Sequence, residues 1–479
     1  MPTLCSLDPF TPGKRRPKCC AQYVSEAETL AQAREGRVHA RRDSSASFDE
    51  RLLATNEGRG KPEPIDSPSA DMELQMQDGR GCRPREPRLS FLSAVQTRHL
   101  DLLPMPNDQK ELIHHWSTYL SVKLAIIDGP DNVCRSSMCS RALTGLLSSS
   151  KESSADITIF HAICAGAAFN LFELTQGSVK AHEILALKHE RLALMHLRYN
   201  LGRHEELKNQ SLGLAIMACI VVDAIAGTTG RWRAHLAGGM SYLRYLAAHG
   251  CDTEDEFIRD MLYMAILCQL DVQEGGWDLL GKQSRGIGPD PSYGACSSFF
   301  SNLARMNQFS TAKHRPPTDQ ELDAFELQLH LSCPSPQSPS LKIKPNHRAT
   351  VIHHVAKAFH YASIVYFQRS IRRRALDASS DLVESGVHEL ETIESLTRDT
   401  AGCMTMWPAL VLAAEASTFD LQLRMTQWFQ TKHKLGFRNV RILREVVEEV
   451  WTRRARSCVP REVSWQAVMA EQKYDVFRL

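Results

Sequence analysis

The sequence predicts an all-α protein. Three observations carry that expectation. From Pro104 onward apolar residues recur at three- and four-residue intervals, the spacing of one helical face. No stretch shows the strict apolar–polar alternation of a half-buried strand. No fixed-period repeat appears that would point to a solenoid. The predicted architecture is a large multi-helix domain over residues 104–479, preceded by a disordered arm over 1–103.

The arm is read from composition. Its stretch "RRDSSASFDERLLATNEGRGKPEPIDSPSADMELQMQDGRGCRPREPR" is rich in Arg, Ser, Pro, Gly, Asp and Glu. Such a segment buries too little apolar surface to offset its ordering entropy. A short helix around "SEAETLAQAR" is the one exception expected there. The helical part then opens at "PNDQKELIHHWSTYLSVKLAI", with an Asn-Asp cap after a proline. Leu112, Trp116, Tyr119, Leu120 and Leu124 fall on one stripe. Further helices are expected at about 134–149, 155–175, 179–200, 206–227, 231–248 and 254–273. Residues 274–317 are rich in Gly, Ser and Pro and read as a long loop insertion. A weaker helix follows at about 318–331. A second linker, "CPSPQSPSLKIKPNH", covers about 332–347. Helices resume at about 348–374, 382–397, 404–430, 436–456 and 462–473.

Bulk properties exclude some classes. The chain has 479 residues with a net charge of +2, so no global field draws it to nucleic acid. Its 14 cysteines are scattered and do not form a secreted disulfide framework. The start, "MPTLCSLDPFTPGKRR", lacks the apolar run of a signal peptide. The run "LGLAIMACIVVDAIAG" meets Asp223 after about a dozen residues, short of the roughly twenty that a membrane span needs. A reducing interior, cytoplasm or nucleus, is expected, with no membrane partner.

The stretch "GRWRAHLAGGMSYLRYL", Gly230 to Leu246, raises two readings. As a helix it places Trp232, Leu236, Met240, Leu243 and Leu246 on one buried face. Arg231, Arg233 and Arg244 then project away as a solvated basic edge. The Gly238–Gly239 pair weakens the helix alone and permits close approach by a neighbour. The rival reading, a basic-aromatic surface for nucleic acid, is the lesser one.

That stretch resembles the signature helix of the fungal-specific transcription factor regulatory domain, where a Trp-x-x-His-Leu-x-Gly segment precedes an apolar helix. "YASIVYFQRSI" is similar to that family's Ala-x-x-Ile-Tyr-Phe-x-Arg helix. "MWPALVLAAEA", from Met406 to Ala416, is similar to its Trp-Pro segment with a Glu-Ala ending. "NVRILREVVEEVWTRR" followed by "VSWQAVMAEQKYDVFRL" resembles its closing pair. The pieces come in the family's order across about 104–479. The resemblance implies a fungal transcription regulator located in the nucleus. It implies control of metabolic or secondary-metabolite genes through protein partners, dimerisation or a small effector. Trp232, His235, Trp407, Pro408 and Trp465 are the signature positions, and their implied role is to hold the fold.

The same family usually carries an N-terminal Zn2Cys6 cluster that reads DNA. Here the early cysteines are Cys5, Cys19, Cys20 and Cys82, too few and wrongly spaced for it. Zinc therefore enters only if such a cluster is missing from this gene model, and no other cofactor is expected. DNA contact is direct or indirect on this reading. The patch "GKRRPK", with Lys14, Arg15, Arg16 and Lys18, reads as a nuclear-localisation or phosphate-contact element, against a solvated tail. An accessory protein of the same fold that binds a partner factor and never touches DNA is the first alternative. A helical scaffold is another.

Other constellations point away from catalysis. His182 and His189 are seven residues apart, about 10 Å of helical rise, too far for one metal ion. His353 and His360 share that spacing. Cys134 and Cys139 offer two soft ligands without a complement and read as reduced, part-buried thiols near a helix start. The acidic run Asp252, Glu254, Asp255 and Glu256 would have to serve a terpene-synthase-type metal site, yet Asp-Asp-x-x-Asp and its companion motif are missing. It suits a helix N-terminus. "RSIRRR", Arg369 to Arg374, reads as cations closing a long helix, where they complement its dipole. No phosphate-binding Gly loop and no nucleophile elbow occur.

Overall fold

"ADITIFHAICAGAAFNLFEL" has no polar face, so its helix can only lie inside. It forms α4 in a computed structural model that describes residues 105–129, 132–147, 153–203, 205–249, 255–270, 293–311, 315–334 and 346–478. The expected disordered arm, with Lys14, Arg15, Arg16 and Lys18, lies outside the described residues. So do Asp252 and Glu254.

The described chain is helical, with no strand among the described residues. Helix α1 (Asn107–His115) runs through a π turn, Trp116–Leu120, into the short α2 (Ser121–Leu124). Then come α3 (Val133–Leu147), α4 (Ala155–Leu174), α5 (Lys180–Leu201) and α6 (Gln210–Ala226). Helices α7 (Arg231–Ala248) and α8 (Asp255–Leu267) follow. The second half holds α9 (Ser297–Thr311), α10 (Asp319–Leu331) and α11 (His347–Tyr366), which ends in a π turn, Phe367–Ile371. It closes with α12 (Ser380–Thr397), α13 (Met406–Ala414), α14 (Phe419–His433), α15 (Arg438–Arg456) and α16 (Trp465–Met469).

Helix α4 packs against α5, α6, α3 and α1. By length and composition it could cross a membrane, but two thirds of its apolar window is buried among those neighbours. Helix α13 does the same work in the second half, packed on α11, α12 and α15, with every residue from Met406 to Ala414 buried. Helix α15 also reaches α6 and joins the halves. Asn170 on α4 makes a second tie. Its side-chain amide donates to the carbonyls of Leu435 and Gly436, both at 2.9 Å, where the chain turns from α14 into α15.

Several boundaries differ from the sequence reading. The expected loop insertion over 274–317 contains α9. Phe299, Phe300, Leu303, Ala304 and Met306 recur there at helical spacing and are buried, a pattern diluted by the interleaved serines and asparagines. The helix expected at 404–430 is two helices, because Glu415 leaves the helical path and Thr418 caps a new one, its side chain accepting from the Leu421 N–H at 3.3 Å. The expected helix at 206–227 starts at Gln210, capped by Asn209, after a 3-10 turn at Glu206–Lys208.

Candidate functional site

The signature helix α7 is anchored at its first residue. The expectation of a solvated Arg231 is overturned: this side chain is 1 % exposed. Its Nε donates to Asp223 Oδ1 at 2.8 Å, and its Nη2 also meets Glu190. A guanidinium can sit there because two carboxylates from α5 and α6 compensate its desolvation. His235 stacks one turn further on, with Nε2 3.5 Å from Asp223 Oδ2. Burial and the Arg231 charge push its pKa down to about 3, so it is a neutral imidazole.

The same helix end holds the C-terminal tail. The Gly230 N–H donates to the Asp475 carbonyl at 2.8 Å, and the Trp232 indole N–H donates to the same oxygen at 3.0 Å. Arg233 forks onto the Asp475 carboxylate at 2.7 and 2.8 Å. Gly239 matches the predicted close approach. A Cβ there would stand 2.1 Å from Met261 Cε on α8.

The other signature positions are also interior. Trp407 and Pro408 are buried in α13, and Trp407 stacks at 6.2 Å on Phe359 with Phe299 and Tyr366 edge-on. Trp465 is buried beside Tyr366, with the Arg478 guanidinium over its ring. The Glu of the Glu-Ala ending has a definite task. Glu415 accepts from Arg369 Nε at 2.7 Å and from Arg454 Nη2 at 3.0 Å, all three groups being buried. The reading of "RSIRRR" as dipole-capping cations is corrected by this contact. Arg369 serves α13, while Arg372 and Arg374 pair with Asp323 and Glu326 of α10.

The histidine and cysteine pairs separate as their spacing implies. His189 is buried against His161, ring nitrogens 3.0 Å apart, and His161 stacks on His196. Desolvation lowers their pKa values, to about 3 for His161 and about 4 for His189. His182 and His189 share no ligand. Among the described residues no group of three or more His, Cys, Asp or Glu side chains is placed to hold a metal ion. Cys134 and Cys139 are free thiols near the start of α3, raised by burial to about 12 and about 11.

Sequence reasoning did not find a cavity of about 110 Å3 that lies among α2, α3, α6, α8 and the segments leading into α9, α13 and α15. Its buried floor is Met138, Met217, Met264, Phe437 and Phe477. Its rim is half-buried and includes Leu124, Ile127, Gly129 and Arg348. Asp260, 6 % exposed, and Asn132 supply the polar wall with Arg348. The rim is fixed by backbone pairing. Gly402 N–H donates to Ile126 O at 3.2 Å and Cys403 N–H to Lys123 O at 3.0 Å. No signal in the sequence marked the cavity: Val221, the half-exposed residue of the otherwise buried α6 that lines it, is an apolar side chain in an apolar helix.

A second surface lies on α5. Ile184, Lys188, Arg191, Met195 and Tyr199 follow at intervals of four, three, four and four, so they share one outer face. Ile184 is 46 % exposed, Met195 48 % and Tyr199 55 %.

The helical body coincides with a known family. The sequence profile described as the fungal specific transcription factor domain matches residues 111–478. In comparisons with curated proteins and with solved structures, nothing matches. The matched segment contains both halves of the bundle, the anchored Arg231–Trp232 helix and the Trp407 core. It supports a role in regulating transcription rather than in catalysis. This chain belongs to the fungal specific transcription factor domain family.

Proposed function

We propose that this protein is a nuclear transcription regulator whose helical body recruits a protein partner through the outer face of α5. The family match over residues 111–478 is the observation that carries the regulatory reading. The α5 face supports the mode of action. Three large apolar side chains alternate with Lys188, Arg191 and Arg198 on exposed positions. That combination fits an acidic, amphipathic helical segment of a partner, with apolar anchors giving affinity and charge giving orientation. The basic run Lys14–Lys18 supports nuclear import. Trp232, His235, Trp407, Pro408 and Trp465 hold the fold and carry no chemistry. By family resemblance the genes controlled are metabolic or secondary-metabolite genes, and no cofactor enters the mechanism.

One observation favours the accessory variant of this reading. Cys5, Cys19, Cys20 and Cys82 lack the spacing of a two-zinc cluster; on this variant a partner factor carries the DNA contact. The test is a reporter assay with the full chain fused to an unrelated DNA-binding module. Reporter output changes on tethering. The double substitution Ile184→Glu and Met195→Glu removes that change while the melting temperature stays within about 2 °C, because both positions are solvent-facing. A tethered chain that leaves the reporter untouched refutes the regulatory reading. An unaffected double variant refutes the α5 surface.

A further inference from the structure

We propose that the cavity between α3, α6 and α8 is a binding site for a compact, uncharged, single-ring-sized organic molecule bearing one hydrogen-bond donor. The inference stands on the cavity wall and does not depend on the transcription reading.

Size sets the first limit. The cavity measures about 110 Å3, and an apolar cavity of about 150 Å3 stays dry and accepts benzene. At somewhat less than that volume, a single ring is the upper limit for the floor, and a small substituent has to reach out toward the half-buried rim. Shape adaptability is built into the wall. Met138, Met217, Met264 and Met404 all line it, and thioether side chains repack easily and make favourable contacts with aromatic rings.

Charge sets the second limit. Asp260 and Arg348 stand on the same small wall. Asp260 is already paired with Arg259 at 3.3 Å and Arg348 stands close by, so any ion added to this wall brings an unbalanced charge into a largely apolar surround, where it is costly. A neutral molecule avoids that penalty. A hydroxyl or N–H on it can donate to Asp260, whose carboxylate can accept from more than one donor. The two thiols on the wall, Cys134 and Cys403, are both raised to about 12 by burial, so they remain protonated and present apolar sulfur rather than a soft metal ligand.

The position gives the site a consequence. Its lining comes from α3, α6, α8, the segment before α13 and the C-terminal tail. A bound molecule contacts both halves of the bundle at once and stabilises their mutual packing.

The test uses the full chain labelled with carbon-13 at its 15 methionine methyls, each cavity resonance assigned by a single Met→Leu substitution. The probes are toluene, phenol, benzoate and benzylammonium. Toluene and phenol shift the Met217 and Met264 methyls saturably and leave exposed Met195 unmoved. Phenol binds at least about tenfold more tightly than toluene, the gain from one hydrogen bond to a charged acceptor. Ala224→Leu, which fills the cavity, abolishes the shifts, whereas Met217→Leu preserves binding. Asp260→Asn keeps toluene binding and removes most of the phenol preference, which tests the donor assignment even where Ala224→Leu fails to fold. The absence of saturable shifts at Met217 and Met264 with every probe overturns the site. Tighter binding of benzoate or benzylammonium than of phenol overturns the ligand class.

Discussion

Arg231 and Glu415 show how single residues of the signature segments act. Each sits in a buried knot with two groups of opposite charge, Arg231 between Asp223 and Glu190, Glu415 between Arg369 and Arg454. Removing one member leaves uncompensated charge in the interior. Glu415→Gln is expected to lower unfolding stability by about 3–5 kcal/mol, read from the midpoint of denaturant unfolding. A loss under about 1 kcal/mol would show that water reaches the two arginines. His235 gives a pH effect of definite sign. Its folded pKa is about 3 against an ordinary 6.5, so the unfolded chain binds the proton first. Stability is full above pH 6.5 and falls as pH drops from 6.5 toward 3, by roughly 2 kcal/mol at pH 5 from this residue. His235→Gln makes the stability slope between pH 6.5 and 5 shallower by about one proton. An unchanged slope would place the titration elsewhere. None of the partners of Arg231 was legible in the sequence. Asp223 is eight residues away and Glu190 on another helix, and helical periodicity reports which face a residue occupies, not which distant charge it meets. An arginine next to a buried tryptophan therefore read as solvated.

At the scale of elements, the sequence was most legible where an apolar face, or in α4 and α6 an apolar run on every side, decides burial. Helices α4, α5, α6 and α7 lie within a few residues of their expected bounds because apolar spacing and the turn around Gly230 mark them, although the Asn209 cap was not read and α6 was started too early. It was least legible where tertiary contacts override the local pattern. Helix α9 was missed because its apolar residues are separated by small polar ones, and the α13–α14 break because Glu415 is drawn into an ion pair. The π turns at Trp116–Leu120 and Phe367–Ile371 have no local signature either. The cavity rim tests how tightly such contacts are set. A Cβ on Gly402 would lie 1.8 Å from the Ala125 carbonyl oxygen, backbone against backbone, with no side chain able to give way. Gly402→Ala is thus expected to cost about 2–3 kcal/mol and to broaden or shift the Met404 methyl resonance beside it. Gly239→Ala meets chiefly the flexible end of Met261, with Ile216 Cγ2 next at 3.3 Å, and is expected to cost less, since it also gains about 1 kcal/mol of helix propensity. Equal losses at the two sites would mean that the Ala125 backbone relaxes as readily as a methionine.

At the scale of the whole molecule, the all-α class was readable because its evidence is distributed over the entire chain. The cavity was not, because a void is set by side chains from helices far apart in sequence. Charge is intermediate: its sum is legible and its placement is not. The net charge is only +2, and several cations of the helical body are taken up in ion pairs on it. Arg372 and Arg374 face Asp323 and Glu326, Arg424 faces Glu384 and Glu391, and Arg453 faces Glu449 and Glu471. Cations held in such pairs are less free to neutralise phosphates, and so displace few of the counterions condensed on DNA. The compact basic run outside that body is Lys14, Arg15, Arg16 and Lys18. If DNA is touched mainly there, each contact contributes about 0.9 to the slope of log affinity on log salt. The purified full chain is therefore expected to bind arbitrary duplex DNA weakly, with a slope no steeper than about −4. Replacing Lys14, Arg15, Arg16 and Lys18 with Ser should remove most of that dependence. A slope near −8, or one that survives the replacement, would require a phosphate-binding face on the helical body itself. The exposed Lys188, Arg191 and Arg198 of α5 would then be the first residues to neutralise, and the same face could not be assigned to an acidic protein partner without competition from DNA.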